Sequence, residues 1–230
     1  MEKKTSALTE LFARRTERLR ALTAGVKAAG WNGRRLGLLE IGCYRGDAAA
    51  GLAEREPFHV TGVDLDWTAI RTAWTLHGAS GCVFVCADAY ALPFPQECFD
   101  GAWAEAVFST LADRAGAARE CARVLRPGGR VLIEDFARRD DSLCPAEPEG
   151  ELYPCLAHAG SREEYAAAFR AAGFRTVCCT EDYSAYARAV LWLCGAYGTT
   201  PGRLAGRLAP DALLPALTWY RMVFEKDGPR

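Results

Sequence analysis

The sequence predicts an α/β fold: a doubly wound, mostly parallel sheet of seven strands with helices on both faces. Three observations predict it. Seven short apolar runs alternate with helical segments, the rhythm of βαβ units. The first run ends in an acid-flanked glycine turn, "LLEIGCYRG", that opens an alanine-rich helix. The second run ends at Asp64, 22 residues beyond Gly42 (64 − 42), where an open parallel sheet places an acid for ribose hydroxyls.

The elements follow in order. Residues 1–30 read as an amphipathic capping helix, because Leu8, Leu11, Phe12, Leu19 and Leu22 recur at helical spacing with arginines between them. No apolar core of a signal peptide is present there, and Glu2, Glu10 and Glu17 argue against a transit peptide. The strand runs are "RLGLLEIG", "FHVTGVDLD", "GCVFVCADA", "CFDGAWAEAVF", "GRVLIEDFA", "FRTVCCTEDY" and "TWYRMVFEK". "RPGG", Arg126 to Gly129, should stop a helix and turn the chain into the fifth strand. Ser161 with Glu164 forms a capping box, and Gly173 suits the far end of that helix. Two stretches break the rhythm. Residues 138–160, rich in proline, glycine and acids, follow a strand end, so a substrate lid and a plain surface loop are both open readings. Tyr153 there is the expected acceptor contact. Residues 183–218 read as a C-terminal helical segment before the last strand, and 1–230 as one domain.

Composition narrows the partners. A formal charge of −1 gives no electrostatic reason for a nucleic acid or an anionic membrane, and no apolar run reaches the roughly 18 residues of a membrane helix. Ten cysteines without a CxxC pair suit free, mostly buried thiols in a reducing cytoplasm and no metal centre. Cys178-Cys179 alternates across a predicted strand and reads as core packing.

The glycine turn is G-x-x-x-G, with Tyr44 at its middle and with Glu40 and Asp47 as acids on either side. A pyrophosphate needs GxGxxG and tolerates neighbouring acids poorly, and GxxxxGK[ST] is absent. A cofactor with a ribose, an adenine and a cationic centre suits these residues better.

Taken together, "LLEIGCYRG", "VTGVDLD", "CADAYALPFPQECFDGAWA" and "ARECARVLRPGGRVLIEDF" resemble, in order, the motifs of class I S-adenosylmethionine-dependent methyltransferases, over residues 36 to 176. The resemblance implies a Rossmann-like sheet whose last strand is antiparallel, S-adenosyl-L-methionine as cofactor and a small-molecule acceptor. It implies that Glu40, Gly42, Cys43, Tyr44 and Gly46 form the cofactor turn, and that Asp64 with Leu65 meets the ribose and adenine side. Asp88 would take the adenine amino group and the Ala89 amide the ring. Glu105, at the end of strand four, would contact cofactor or acceptor and is the candidate catalytic acid, with Ser109 close behind. Tyr44 departs from the usual middle glycine and should wall the methionyl pocket. Two alternatives stay open: a methyltransferase-like domain that binds without catalysis, and a metalloid methyltransferase using the Cys155 thiolate with Cys144 or Cys194.

Overall fold

A computed structural model describes residues 15–139, 155, 158–196, 198, 200 and 217–228, without the side chains of 15–21, 192, 195 and 196. Along the chain run α1 (Arg15–Ala28), β1 (Gly37–Ile41), α2 (Asp47–Ala53), β2 (His59–Asp64), α3 (Trp67–His77), β3 (Val83–Cys86) and β4 (Phe99–Glu105). After a 3-10 turn (Phe108–Thr110) come α4 (Arg114–Val124), β5 (Leu125–Arg138), α5 (Arg162–Ala171), β6 (Phe174–Glu181), α6 (Tyr183–Ala196) and β7 (Leu217–Lys226).

The seven strands make one sheet in the order β3-β2-β1-β4-β5-β7-β6. All neighbours are parallel except β7, which runs antiparallel to both β5 and β6. The strand order reverses between β1 and β4, and ligand crevices of open α/β sheets form beside such a switch, outside the carboxyl ends of the strands.

Side-chain alternation sends two apolar sets to opposite faces. Leu39, Ile41, Ala102, Ala104, Val131, Ile133 and Met222 meet α4 and α5 through Ala117, Cys121 and Phe169. Leu38, Trp103, Leu132 and Val223 meet α1, α2 and α3 through Leu22, Val26, Ala49, Leu52 and Ile70. A third cluster lies where α6 covers the carboxyl end of β5 and the start of β7: Phe136, Trp219, Leu217, Leu193 and Cys194.

Local signals behave as the sequence suggests. Ser161 and Glu164 form the reciprocal capping box of α5. Asp66 and Asp113 cap α3 and α4 through the amides of Thr68 and Gly116. Three expectations need correction. "RPGG" does not precede β5; the strand starts at Leu125, opposite Phe99, and pairing skips to Arg130 opposite Gly101, so the four residues bulge from the ladder. Leu217 and Thr218 belong to β7 rather than to a helical segment, because their pairing with Arg138 and Ala137 continues the ladder. Cys179 is exposed, since β6 is the edge strand and has a neighbour on one side only. Cys86 is also exposed, at the end of the opposite edge strand. Residues 1–14, Cys144 and Tyr153 lie outside the described residues, and so do most of the 138–160 segment and residues 201–216.

Candidate cofactor and acceptor site

The registers align the predicted residues in a single row. Ile41 lies opposite Val63 on β2 and Ala104 on β4, which sets Gly42 between Asp64 and Glu105. Asp64 is paired with Cys86, Glu105 with Glu134, and Glu134 with Arg221. The carboxyl edge of the sheet therefore reads Cys86, Asp64, Gly42, Glu105, Glu134, Arg221, with neighbouring strands about 4.8 Å apart.

The turn after β1 is held by that row. Gly42, Tyr44 and Gly46 have φ of 71°, 48° and 75°. Two of these three left-handed residues are the glycines that such a backbone favours. Tyr44 adopts the same conformation with a side chain, so the missing middle glycine changes the side chain and leaves the path of the turn intact. The amide of Tyr44 donates to Asp64 Oδ2 at 2.7 Å, and the amide of Asp66 to Asp64 Oδ1 at 2.9 Å. Both carboxylate oxygens are thus oriented, and each keeps acceptor capacity for a ribose hydroxyl.

The two glycines also make room. A Cβ on Gly42 would overlap Val107, and one on Gly46 would run into the ring of Phe84. Gly46→Ala meets both this overlap and the left-handed φ. It should cost about 2–4 kcal/mol, combining overpacking with backbone strain. Urea denaturation would measure it, and a loss below about 0.5 kcal/mol would contradict the packing described.

Not every predicted residue faces the crevice. Glu40 is 2 % exposed and accepts from the Ala49 amide at 3.1 Å, so it lies beneath the turn and caps the first turn of α2. Cys43 is buried too, and burial pushes its thiol well up. Its amide donates to Val63 O at 2.9 Å, pinning the turn to β2. The second acid of the turn, Asp47, bonds to His77 Nε2 at 3.1 Å and ties α2 to α3.

At the mouth, Tyr44 is 54 % and Leu65 71 % exposed, and Trp67 and Tyr90 are exposed beside them. Exposed large apolar groups gathered on one rim are what an adenine and a methionyl chain would cover. Asp88 is exposed, and the Tyr90 amide donates to its Oδ1 at 2.9 Å. Ala89 is half-buried. The residues present fit S-adenosylmethionine: a glycine cradle, an oriented carboxylate at Asp64 with acceptor capacity to spare, an apolar rim and a second acid, Glu105, on the other side of the turn.

Two acids missed by the sequence reading lie further along. Glu134 is 4 % exposed, and Arg221 Nε donates to its Oε1 at 2.5 Å. Arg221 Nη2 reaches Asp182 Oδ2 at 3.4 Å, and Asp182 caps α6 through the Ala185 amide. Burial raises the Glu134 carboxyl to about 7; Arg221 opposes this, and Glu105 and Asp182 add to it. On the other face Asp135, fully buried, is raised by burial to about 6 although Ser109 and Phe136 donate to it. Ser109 thus belongs to the framework of the β4–α4 turn. A charged residue within an otherwise apolar strand, as in "VLIEDFA" and "WYRMVF", is the signal that marks such pairs.

Cys155 is buried in the α6 cluster, while His158, three residues further on, is exposed. Among the described residues no group of three or more His, Cys, Asp or Glu is placed to hold a metal.

A doubly wound sheet with this strand order, β7 reversed, and an acid-anchored glycine turn at the switch point defines the class I S-adenosylmethionine-dependent methyltransferase fold. Residues 39–133 match the family described as "Methyltransferase domain". A 27-O-demethylrifamycin SV methyltransferase of Amycolatopsis mediterranei is 34% identical over 158 residues, 66% of this chain and 58% of that protein. A 2-methyl-6-phytyl-1,4-hydroquinone methyltransferase of Synechocystis is 33% identical over 109 residues, 47% of this chain and 34% of that protein. The chain spans little more than half of the first of these relatives and about a third of the second. Among solved structures, the cyclase SpnF superposes with a TM-score of 0.73 at 21% identity, covering 91% of this chain and 82% of that one. A geranyl diphosphate methyltransferase in complex with SAM gives 0.73 at 15% identity, covering 98% and 92%. These two likenesses are of fold alone.

Proposed function

We propose that this protein transfers a methyl group from S-adenosyl-L-methionine to an oxygen of a small-molecule acceptor. The observation that carries it is the row at the sheet edge, where Asp64, Gly42 and Glu105 stand side by side at the switch point. Asp64 would hold the ribose, the Gly42–Gly46 turn the methionyl chain, Leu65 and Ala89 the adenine, and Asp88 its amino group. The bound cofactor supplies an activated methyl on a sulfonium. The protein's part is alignment, and alignment alone can contribute several kcal/mol to a displacement.

An oxygen acceptor is favoured by the relatives, since 34% identity extends to a protein named as an O-methyltransferase, resE of Aspergillus sclerotiorum. Free thiols at Cys43, Cys82, Cys86, Cys98, Cys121, Cys178, Cys179 and Cys194 suit a reducing compartment. No helix among the described residues is long and apolar enough to cross a membrane.

Incubation with methyl-tritiated cofactor and hydroquinone should carry label into a solvent-extractable ether. Label that stays in the cofactor, or passes to the protein itself, would contradict the proposal. Tyr44→Gly separates the two roles of that residue. Relief of the left-handed strain should leave folding stability equal or higher by up to about 1 kcal/mol. Loss of the ring from the methionyl pocket should weaken cofactor binding about three- to tenfold, or roughly 1 kcal/mol. Unchanged binding would place the ring outside the pocket.

A further inference from the structure

Strand β3 ends at the carboxyl edge of the sheet, and β4, parallel to its neighbours, starts at the amino edge. Parallel strands are usually joined by a crossover helix, which satisfies its own backbone. Residues 87–98 make this crossing without one. Their amides and carbonyls therefore need partners on a neighbouring element. That element is α4, where Glu120 and Arg123, three positions apart, share one face. Arg123 Nε and Nη2 each donate to Glu120 at 2.8 Å, a fork-to-fork ion pair. The same pair takes both backbone groups of the buried Leu92. The Leu92 amide donates to Glu120 Oε2 at 2.7 Å, and the Leu92 carbonyl accepts from Arg123 Nη2 at 2.7 Å. Phe94 O accepts from Arg123 Nη1 at 2.6 Å. The pair serves this segment as a neighbouring strand would.

Further ties reach both ends of the crossing. The carbonyls of Arg123 and Val124 accept from the amides of Glu97 and Cys98, and the Asp113 amide donates to the Tyr90 hydroxyl at 3.1 Å. Toward the cofactor row, the Ala87 amide donates to Asp64 O at 2.9 Å. Asp88 closes a turn of its own, accepting from the Tyr90 amide at Oδ1 and from the Ala91 amide at its carbonyl. Asp88 Oδ2 stays open. Only four positions separate this acid from Leu92 (92 − 88). Arg123 holds the Glu120 carboxyl below the usual carboxylate range, so the pair is charged at neutral pH.

We propose that Glu120 and Arg123 are positioning residues that set the base selectivity of the cofactor site, by fixing residues 87–94 where Asp88 meets the exocyclic amino group of adenine. This rests on the reading of Asp88 and Ala89 as the adenine contacts and goes beyond it. Neither member of the pair touches the cofactor. A recognition group must be held within about 0.5 Å of its productive place, and the exposed Asp88 turn has few bonds of its own to do so. A base with a carbonyl in place of the amino group brings an acceptor to the Asp88 carboxylate, where no proton is shared. Release of the segment therefore erodes the choice of base, while the ribose and methionyl contacts of Asp64 and the glycine turn stay in place.

Calorimetric titration with S-adenosylhomocysteine and with its deaminated analogue, S-inosylhomocysteine, tests the pair. The wild type should prefer the amino form by at least about tenfold. Arg123→Met should weaken S-adenosylhomocysteine about tenfold and the deaminated analogue less than about threefold, so that the preference collapses. Glu120→Gln keeps an oxygen for the Leu92 amide and should hold the wild-type preference within about twofold. A merely structural role would weaken both ligands alike. Equal losses for the two ligands, or an unchanged preference in Arg123→Met, overturn the pair's role and leave the cofactor reading standing. Should Arg123→Met fail to fold, Glu120→Ala decides in its place: a preference about threefold lower supports the role, and an unchanged one overturns it. A wild type that binds both ligands equally overturns Asp88 as the base contact, and the pair's role with it. No binding of either ligand by the folded wild type removes the cofactor reading and this role together.

Discussion

Arg221→Met is expected to lower folding stability by about 3–5 kcal/mol above neutral pH, the usual cost of stranding one partner of a buried ion pair. The Glu134 side chain is only 5 % exposed, and its remaining charged neighbours, Glu105 and Asp182, are both acids. The methionine also severs the link between β5 and the cap of α6, since Arg221 reaches both Glu134 and Asp182. The loss should depend on pH in a defined direction. Glu134 binds its proton more tightly in the folded protein, to about 7, than the ordinary carboxyl value of 4.5. An acid raised in this way supports folding most below its ordinary value, and that support fades as pH climbs through the folded value. Removal of Arg221 pushes the folded value higher still. The variant should therefore be least impaired in mild acid and most impaired in mild base. Urea denaturation across that range measures it, and a loss independent of pH would mean that Arg221 acts through packing alone.

Asp64→Ala is expected to weaken cofactor binding about a hundredfold. Two hydrogen bonds from ribose hydroxyls to a carboxylate are each worth about 1.5 kcal/mol. Asp64 also anchors the amides of Tyr44 and Asp66, so the substitution frees the turn that must cradle the methionyl chain. Asp64→Asn tests the two contributions, because one amide oxygen can still accept from the turn while the charge is gone. Intermediate affinity is expected, about tenfold below the wild type. If both variants bound the cofactor as the wild type does, Asp64 would be an anchor of the turn and nothing more.

Much of this site is legible along the chain because β-strands end where their local pattern ends. Asp64, Asp88 and Glu105 each close an apolar run, and parallel register then brings such ends to one edge. Gly42 and Gly46 mark a left-handed turn for the same local reason. The place of Glu40 is less legible: its position before the turn suggests the cofactor, while its side chain is spent on the Ala49 amide. Orientation within a buried layer depends on what α2 offers from above, and no spacing encodes that. The Glu134–Arg221 pair spans 87 positions and arises from the register of β7 on β5. A charge inside an apolar stretch of a strand signals that a partner exists, but only the antiparallel pairing selects it. Cys179 shows the same limit, since the edge position of β6 follows from strand order and not from its own residues.

The central claim is that the Asp64–Gly42–Glu105 edge is a cofactor site, and calorimetric titration with S-adenosylhomocysteine tests it most directly. The product lacks the transferable methyl, so binding is read without any acceptor. One molecule per chain with a Kd of about 10 μM or tighter is the expected result, with loss of heat in Asp64→Ala. A folded wild-type protein that gives no heat at about 1 mM of either the product or the cofactor would contradict the account.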